Sequence, residues 1–246
     1  MFHRLLVCLV LLLTVLLARA EQQLQLASTD YPPYFSSALP EGGTLTALTR
    51  AAFKAAGYDI TLVFLPWARL MLELERGKHD GVVAVWYKAD REHFLALSAP
   101  VVDTQIGFYG RASLPLDVGS LQNLRKRLVG TVRGYANPPA FDAAGLNTDE
   151  VVNDLTNLRK LDKGRLDLVL VDKALAQYLV SQEWPAGNPN LMWREPALQT
   201  MPLHIGIARS RPNHAVILND FNRGLAEIRR NGEYARILKR LPLTSD

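Results

Sequence analysis

The chain reads as an α/β protein in two lobes, each a mostly parallel sheet flanked by helices, and two observations predict it. The first is an internal echo: Leu70-Met-Leu-Glu-Leu-Glu-Arg-Gly-Lys-His-Asp-Gly-Val-Val83 recurs in outline as Leu158-Arg-Lys-Leu-Asp-Lys-Gly-Arg-Leu-Asp-Leu-Val169. Each copy carries an amphipathic helix with basic residues in its last turn, a glycine at the left-handed position after it, a basic-x-Asp connection and a buried strand. Gly77 and Gly164 stand 87 residues apart, far beyond a solenoid period, so one unit is used in each of two similar lobes. The second observation is the order β-loop-α-β-α-β that opens the chain, which belongs to a parallel sheet with ligands beyond the carboxyl ends of its strands. Two lobes imply a cleft, and clefts bind small molecules.

The elements follow in order. Leu24 to Thr29 alternates enough for a strand, and Asp30-Tyr-Pro-Pro-Tyr-Phe35 can continue neither helix nor central strand, so a loop leaves the sheet there. Thr44 is predicted to cap an apolar-periodic helix through Ala56 with Gly57 as its stop. Ile60 to Leu65 is a strand, Pro66 starts the helix that carries Trp67 and Arg69, and Val82 to Val85 is the next strand. From Phe94 to Gly110 short β-like runs are broken by Ser98-Ala-Pro100 with no helix between, as in a connection passing from lobe to lobe. Ser120 is predicted to cap a short helix. Leu128 to Val132 and Val151-Val152 are strands separated by a turn-rich loop from Arg133 to Pro139, and the echoed helix and Val169 to Val171 follow. Leu203 to Arg209 is a further strand, read as the return crossing, before two helices separated by Asn231-Gly232. Lobe one is assigned to 21–108 and 206–246, and lobe two to 109–205.

The first 20 residues read as an address. His3-Arg4 forms a basic n-region, Leu5 to Leu17 is mostly apolar, and Ala18-Arg19-Ala20 has the small-x-small cleavage pattern, so a signal peptide ending near Glu21 is expected. The apolar run falls short of the roughly 20 residues that span a bilayer. Cys8, the single cysteine, lies inside this leader, which excludes thiol catalysis and cysteine-held metal from the mature chain. Without Arg4 and Arg19 the formal charge of +4 falls to about +2, and Leu124-Arg-Lys-Arg127 is the densest basic cluster. Nucleic acid is therefore not an expected partner. The histidines show no i, i+3 or i+4 pairing, and there is neither a Gly-x-Ser-x-Gly elbow nor a phosphate loop. No cofactor is expected.

Tyr31-Pro-Pro-Tyr34, Gly77-Lys-His-Asp-Gly81, Arg91 followed by Ser98-Ala-Pro100, Gly164-Arg-Leu-Asp-Leu-Val-Leu-Val-Asp172 and Asn231-Gly-Glu-Tyr-Ala-Arg-Ile-Leu238 occur in an order and spacing that resemble the family 3 solute-binding proteins. Those are extracytoplasmic receptors of polar amino-acid ABC importers. The resemblance covers essentially the whole mature chain and implies a type II periplasmic binding protein fold with a two-stranded hinge. It also implies a monomer that meets a small-molecule ligand and an inner-membrane ABC permease.

By the same resemblance Arg91 matches the arginine that grips a ligand α-carboxylate, Asp172 the acid that holds the α-amino group, and Tyr34 the aromatic that covers the ligand side chain. A guanidinium fork meets a carboxylate bidentately and a carboxylate accepts from an ammonium, so one residue from each lobe can clamp a zwitterion. The chain departs from the family in two places. Small hydroxyl residues usual before the arginine and in the lobe-two Gly-x-x-x-Gly-Ser/Thr loop are replaced by Trp86-Tyr87 and by Gly134-Tyr135. Those substitutions put an ordinary α-amino acid in doubt and favour an aromatic or cyclic ligand stacked among Trp67, Trp86 and Tyr135, or an unusual ligand class.

Each site residue also has a plainer role open to it. Arg91 lies between Asp90 and Glu92 and can form a surface ion pair; Asp172 stands where a helix N-cap is needed; Trp67 can simply pack, and Tyr135 can pack on the hinge side. Arg69 is a second anion anchor if the ligand carries two acids. Of Trp86 and Tyr87, which alternate along a strand, Trp86 is expected to face the cleft. The function expected is that of a periplasmic solute-binding protein that closes on its ligand and presents it to an ABC importer. Two alternatives stay open. One is a periplasmic dehydratase of the cyclohexadienyl type, in which Asp172 would act as an acid and would need a raised pKa. The other is an accessory binding protein for a sensor.

Overall fold

The structure, a computed structural model, describes residues 22–243. The expected signal peptide, its cleavage site and Cys8 lie outside the described residues. Nine strands join in one continuous curled sheet ordered β2-β1-β3-β9-β5-β8-β6-β7, with β4 also paired to β9. At one end β1 (Gln22–Ser28), β2 (Tyr58–Phe64) and β3 (Gly81–Trp86) run parallel, connected through α1 (Thr44–Ala55) and α2 (Trp67–Glu75). At the other end β6 (Leu128–Val132), β7 (Asn147–Val151) and β8 (Leu168–Asp172) repeat the arrangement with α3 (Pro139–Ala144) and α4 (Asp154–Asp162) as connections. These are the two lobes.

The echo in the sequence is an echo in the hydrogen bonding. After α2 and after α4 the glycines adopt left-handed φ values of 68° and 69°. The amides of Gly77 and Lys78 turn back to the carbonyls of Leu74 and Glu73, as those of Gly164 and Arg165 do to Leu161 and Lys160. This closes each helix end. The aspartate that follows then clips the new strand to its parallel neighbour. Asp80 donates its amide to the Gln25 carbonyl and accepts the Gln25 amide on its carboxylate at 2.7 Å, and Asp167 does the same with Leu128, at 2.9 Å for the carboxylate bond.

Two long antiparallel strands connect the lobes. β5 (Val102–Arg111) pairs with β8 from Ile106 onward, and β9 (Leu191–Ala208) pairs with β3 from Leu203 onward. Between these limits β5 and β9 hold mainly each other. The strand expected at Leu203 to Arg209 is thus only the second half of β9. Its first half carries Arg194, Glu195 and Pro196 on a largely exposed run that gave no strand pattern. β4 (Leu95–Leu97) edges lobe one, α5 (Lys173–Glu183) follows β8, and α6 (His214–Arg230) and α7 (Glu233–Arg240) return over lobe one. α6 crosses α1 so closely that a Cβ on Gly224 would meet the Ala52 carbonyl oxygen at 1.9 Å.

Two expected caps are corrected. Thr44 is the first residue of α1 rather than its cap. Gly43 precedes it at φ 93°, and the Thr44 hydroxyl instead donates to the Leu241 carbonyl at 2.6 Å, fastening the helix start to the end of α7. Ser120 precedes a single 3-10 turn (Leu121–Leu124) but spends its hydroxyl on the Gln122 side chain. Among the described residues no helix is long and apolar enough to cross a membrane.

Candidate functional site

The loops that follow the carboxyl ends of the six parallel strands converge on one interlobe cleft, as an open α/β sheet requires. From lobe one, Tyr31 and Tyr34 come after β1, Trp67 after β2, and Trp86 and Arg91 from the end of β3. From lobe two, Gly134 and Tyr135 come after β6, Asp154 after β7, and Asp172 ends β8.

Trp86 reaches the cleft through an irregularity. The pairing of β3 with β9 shifts between Val82 and Val85, and Ala84 there takes φ +68°, a left-handed conformation rare for a residue with a side chain. Beyond the bulge the Trp86 indole lies buried in the cleft, and Tyr87 is 53% exposed. The Trp86 indole N–H donates to the Thr104 hydroxyl at 3.0 Å, and that hydroxyl donates to the Met201 carbonyl at 2.6 Å. One cleft ring is thereby fastened to both crossing strands.

Arg91 is 6% exposed. It forms none of the salt bridges among the described residues; Asp90 pairs with Lys88 instead. The Arg91 guanidinium donates to the Trp86 carbonyl at 3.0 Å and, across the cleft, to the Gly134 carbonyl at 2.9 Å, while its plane lies 5.2 Å from the Trp67 ring centre. Burial lowers its pKa, with Asp90 pulling the other way. The Trp67 indole N–H donates to the same Gly134 carbonyl at 3.0 Å. Gly134 adopts φ +76°, which suits a glycine and turns its carbonyl toward lobe one.

Asp172 is both a cap and a cleft carboxyl. One oxygen accepts the Leu175 amide at 2.8 Å at the start of α5, and the other accepts the Tyr34 hydroxyl at 3.1 Å from the opposite lobe. Burial pushes its pKa up to about 7 despite these donors. Asp154 was not singled out in the sequence. Asn153 takes the capping position of α4, accepting from the Thr156 amide, which leaves the Asp154 carboxyl to accept the Tyr135 hydroxyl at 3.0 Å. Burial, with the charge of Asp172 adding to it, lifts Asp154 to about 7 as well. Neither carboxyl has a cationic partner within ion-pair distance among the described residues.

Aromatic rings fill the space between. Tyr135 sits edge-on to Trp67, Trp86 and Tyr31, with ring centres 6.0, 5.9 and 6.2 Å away. A cavity of about 20 Å³ remains beside Tyr31, Trp67, Trp86 and Tyr135. A larger open groove, about 1210 Å³, lies outside, between Leu39–Thr44, the start of α5 and Arg240–Leu243. It lacks the convergence of buried polar groups found in the cleft, so we place the candidate site in the cleft.

Of the residues singled out from sequence, Tyr34, Trp67, Trp86, Arg91, Tyr135 and Asp172 come together. Arg69 does not: its side chain is 64% exposed and pairs with Glu73 one helical turn along α2, at 2.8 Å. Tyr31, Thr104 and Asp154 join the group without having been picked. Tyr31 lay inside a quoted motif, and Asp154 follows a strand end as Asp172 does, which was the available signal. Among the described residues no three His, Cys, Asp or Glu side chains group as a metal site.

A curled sheet flanked by helices in two lobes, with buried polar groups of each lobe facing across a cleft, defines a binding protein of the type II periplasmic kind. The chain belongs to the bacterial extracellular solute-binding proteins, family 3, whose model matches residues 26–241. No curated protein matches it significantly by sequence. Among solved structures it resembles a mutant of the arginine-binding protein of T. maritima (19% identity, TM-score 0.74, 91% of this chain and 96% of that one). It also resembles the amino acid ABC transporter substrate-binding protein AbpA of Streptococcus pneumoniae bound to L-arginine (15%, 0.73, 91% and 95%). A histidine kinase sensor domain similar to periplasmic binding proteins matches too (20%, 0.77, 90% and 97%).

Proposed function

We propose that this protein is exported through a cleaved leader, closes its two lobes on a small polar solute and presents it to an inner-membrane ABC importer, with no covalent chemistry of its own. The lobes divide, on this reading, within β5 and β9 a few residues ahead of the expected 108/109 and 205/206, because β5 joins β8 from Ile106 and β9 joins β3 from Leu203, and bending is concentrated where the two strands hold mainly each other. The observation that carries the proposal is the set of bonds that span the cleft: Arg91 and Trp67 of one lobe on the Gly134 carbonyl of the other, and Tyr34 on Asp172. Such contacts exist only when the lobes are shut, and they leave about 20 Å³ between the walls, so a solute enters when the lobes part and favours closure where its bonds to both walls outweigh the contacts it replaces.

The test is a thermal-shift screen over amino acids, amines, dicarboxylates and cyclic acids, paired with solution scattering. A ligand at roughly 1,000 times its Kd adds about 4 kcal/mol, on the order of ten degrees for a chain of this size. Arg91→Ala is expected to abolish the shift. Normal binding by that variant would remove Arg91 from the site; no shift and no compaction with any class would sink the receptor reading.

One observation favours a second reading. A dehydratase acid must stay protonated near neutrality, and Asp172 is pushed to about 7. Turnover of a hydroxylated cyclohexadienyl acid, lost in Asp172→Asn, would establish it. Delivery of the solute to a sensor instead of an importer leaves the cleft's role unchanged.

A further inference from the structure

We infer that the solute is a protonated organic amine without a carboxylate of its own, held by Asp154 and Asp172 against the aromatic walls and the Tyr31 hydroxyl. The inference rests on the receptor reading above and names its ligand class.

The first ground is charge. Among the described residues the walls of the cleft hold two buried carboxyls from lobe two and one buried guanidinium from lobe one, and no ion pair joins them. The carboxyls accept from phenol hydroxyls and backbone amides alone. A cation that donates to one or both brings the opposite charge that their present neutral donors lack and so offsets the cost of burying them ionised.

The second ground is that the one buried guanidinium of the cleft is already partly committed. Arg91 spends one arm on the Trp86 carbonyl within its own lobe and the other on the Gly134 carbonyl. An incoming carboxylate would compete with the Gly134 carbonyl for the guanidinium and would enter a cleft that already holds the buried carboxyls of Asp154 and Asp172. The positions where a small hydroxyl could help it are Trp86-Tyr87 and Gly134-Tyr135, and Tyr135 already donates to Asp154.

The third ground is an unpartnered hydroxyl beside the acids. The Tyr31 hydroxyl is buried with no hydrogen-bond partner, although Tyr31 is only 4% exposed and lines the small cavity. Burial, with the charges of Asp172 and Asp154 adding to it, raises its pKa well above the usual phenol value. It therefore stays a neutral hydroxyl whose lone pairs are open. An orphaned buried hydroxyl is costly and calls for a partner, and an ammonium supplies donors to it and to the carboxyls together. Trp86 and Tyr135 add aromatic rings whose faces favour a cation over an anion, and the Trp67 ring already carries the Arg91 guanidinium.

Matched pairs that differ only by the α-carboxylate test this directly: agmatine against arginine, cadaverine against lysine, and tyramine against tyrosine, each by titration calorimetry with the purified full-length mature protein at pH 8. At least one amine is expected to bind, and about tenfold or more tighter than its amino acid. Asp154→Asn and Asp172→Asn should each weaken that amine by about tenfold or more. Tyr31→Phe guards against a folding artefact: its hydroxyl has no partner to lose, so the melting temperature should hold while amine affinity falls. An amino acid that outbinds its amine, or an acid from the wider screen that binds when no amine does, overturns the inference and leaves the receptor reading standing. Failure of every solute class overturns both.

Discussion

Raising the pH from 5 to 8 should destabilise this protein, and the two cleft aspartates should be the reason. Both carboxyls stand at an ordinary 3.8 when unfolded and at about 7 in the fold, burial being the main cause in each. For an acid lifted in this way the native state holds a proton that the unfolded state has released between about pH 4 and pH 7. Stability is then present below that window, declines as pH rises through it, and levels off above about 7. A lift of about three units at about 1.4 kcal/mol each makes about 4 kcal/mol the ceiling for either group alone. The two titrate as a pair because the charge of Asp172 raises Asp154, so the second ionisation completes the loss at the upper end of the window. Tyr34, Tyr135 and the α5 amides soften the cost by donating to the ionised forms. Arg91 forms no ion pair with either carboxyl, and its two terminal nitrogens donate to the carbonyls of Trp86 and Gly134. The assay is urea unfolding at pH 5, 6, 7 and 8. A drop of a few kcal/mol is expected for the wild type and a nearly flat profile for the Asp154→Asn/Asp172→Asn double variant. A wild-type profile that is flat or rises over this range, or a double variant with the wild-type slope, would refute the reasoning. Toward acid the sign reverses. Glu73 is held at about 2, chiefly by hydrogen bonds from Arg69 and His79, so its contribution is present above about pH 4.5 and is lost as pH falls through 2. Maximum stability is expected near pH 4 to 5.

Two further substitutions probe the backbone. Ala84→Gly relieves a left-handed residue in the β3 bulge and should raise stability by about 1 kcal/mol; a loss measured by urea unfolding would show that the Ala84 methyl packs better than its backbone strains. Gly224→Ala drives a methyl into the Ala52 carbonyl where α6 crosses α1 and should cost about 1–3 kcal/mol, with an unchanged melting temperature counting against so close a crossing.

Local pattern made most of the lobes legible. Gly77 and Gly164 announced helix ends because only glycine takes their φ values freely, and β6 emerged at Leu128 to Val132 as expected because its apolar run is bounded by turn formers. The first half of β9 was hidden because its strand character comes from pairing with β5 and not from its own polar, proline-containing residues. α3, six residues long, begins inside what reads as a turn-rich loop. At the site, aromatic and charged residues next to strand ends were visible. The Ala84 bulge was not, since a buried alanine in a run of valines carries no sign of positive φ. Thr104 became part of the site through a tertiary bond to Trp86 alone. Arg69 shares its helix turn with Trp67 in sequence, and its pairing with Glu73 along α2 keeps it outside.

The clasp between the lobes ends on a main-chain oxygen. Arg91 and Trp67 both fasten to the carbonyl of Gly134, an atom that every residue type possesses. No point substitution at position 134 can delete the acceptor; only a change in how that loop threads can swing it away, and then both anchors let go at once. Side chains around the loop can therefore change without removing this acceptor, provided the loop keeps its path, and this part of the catch between the halves is encoded as shape.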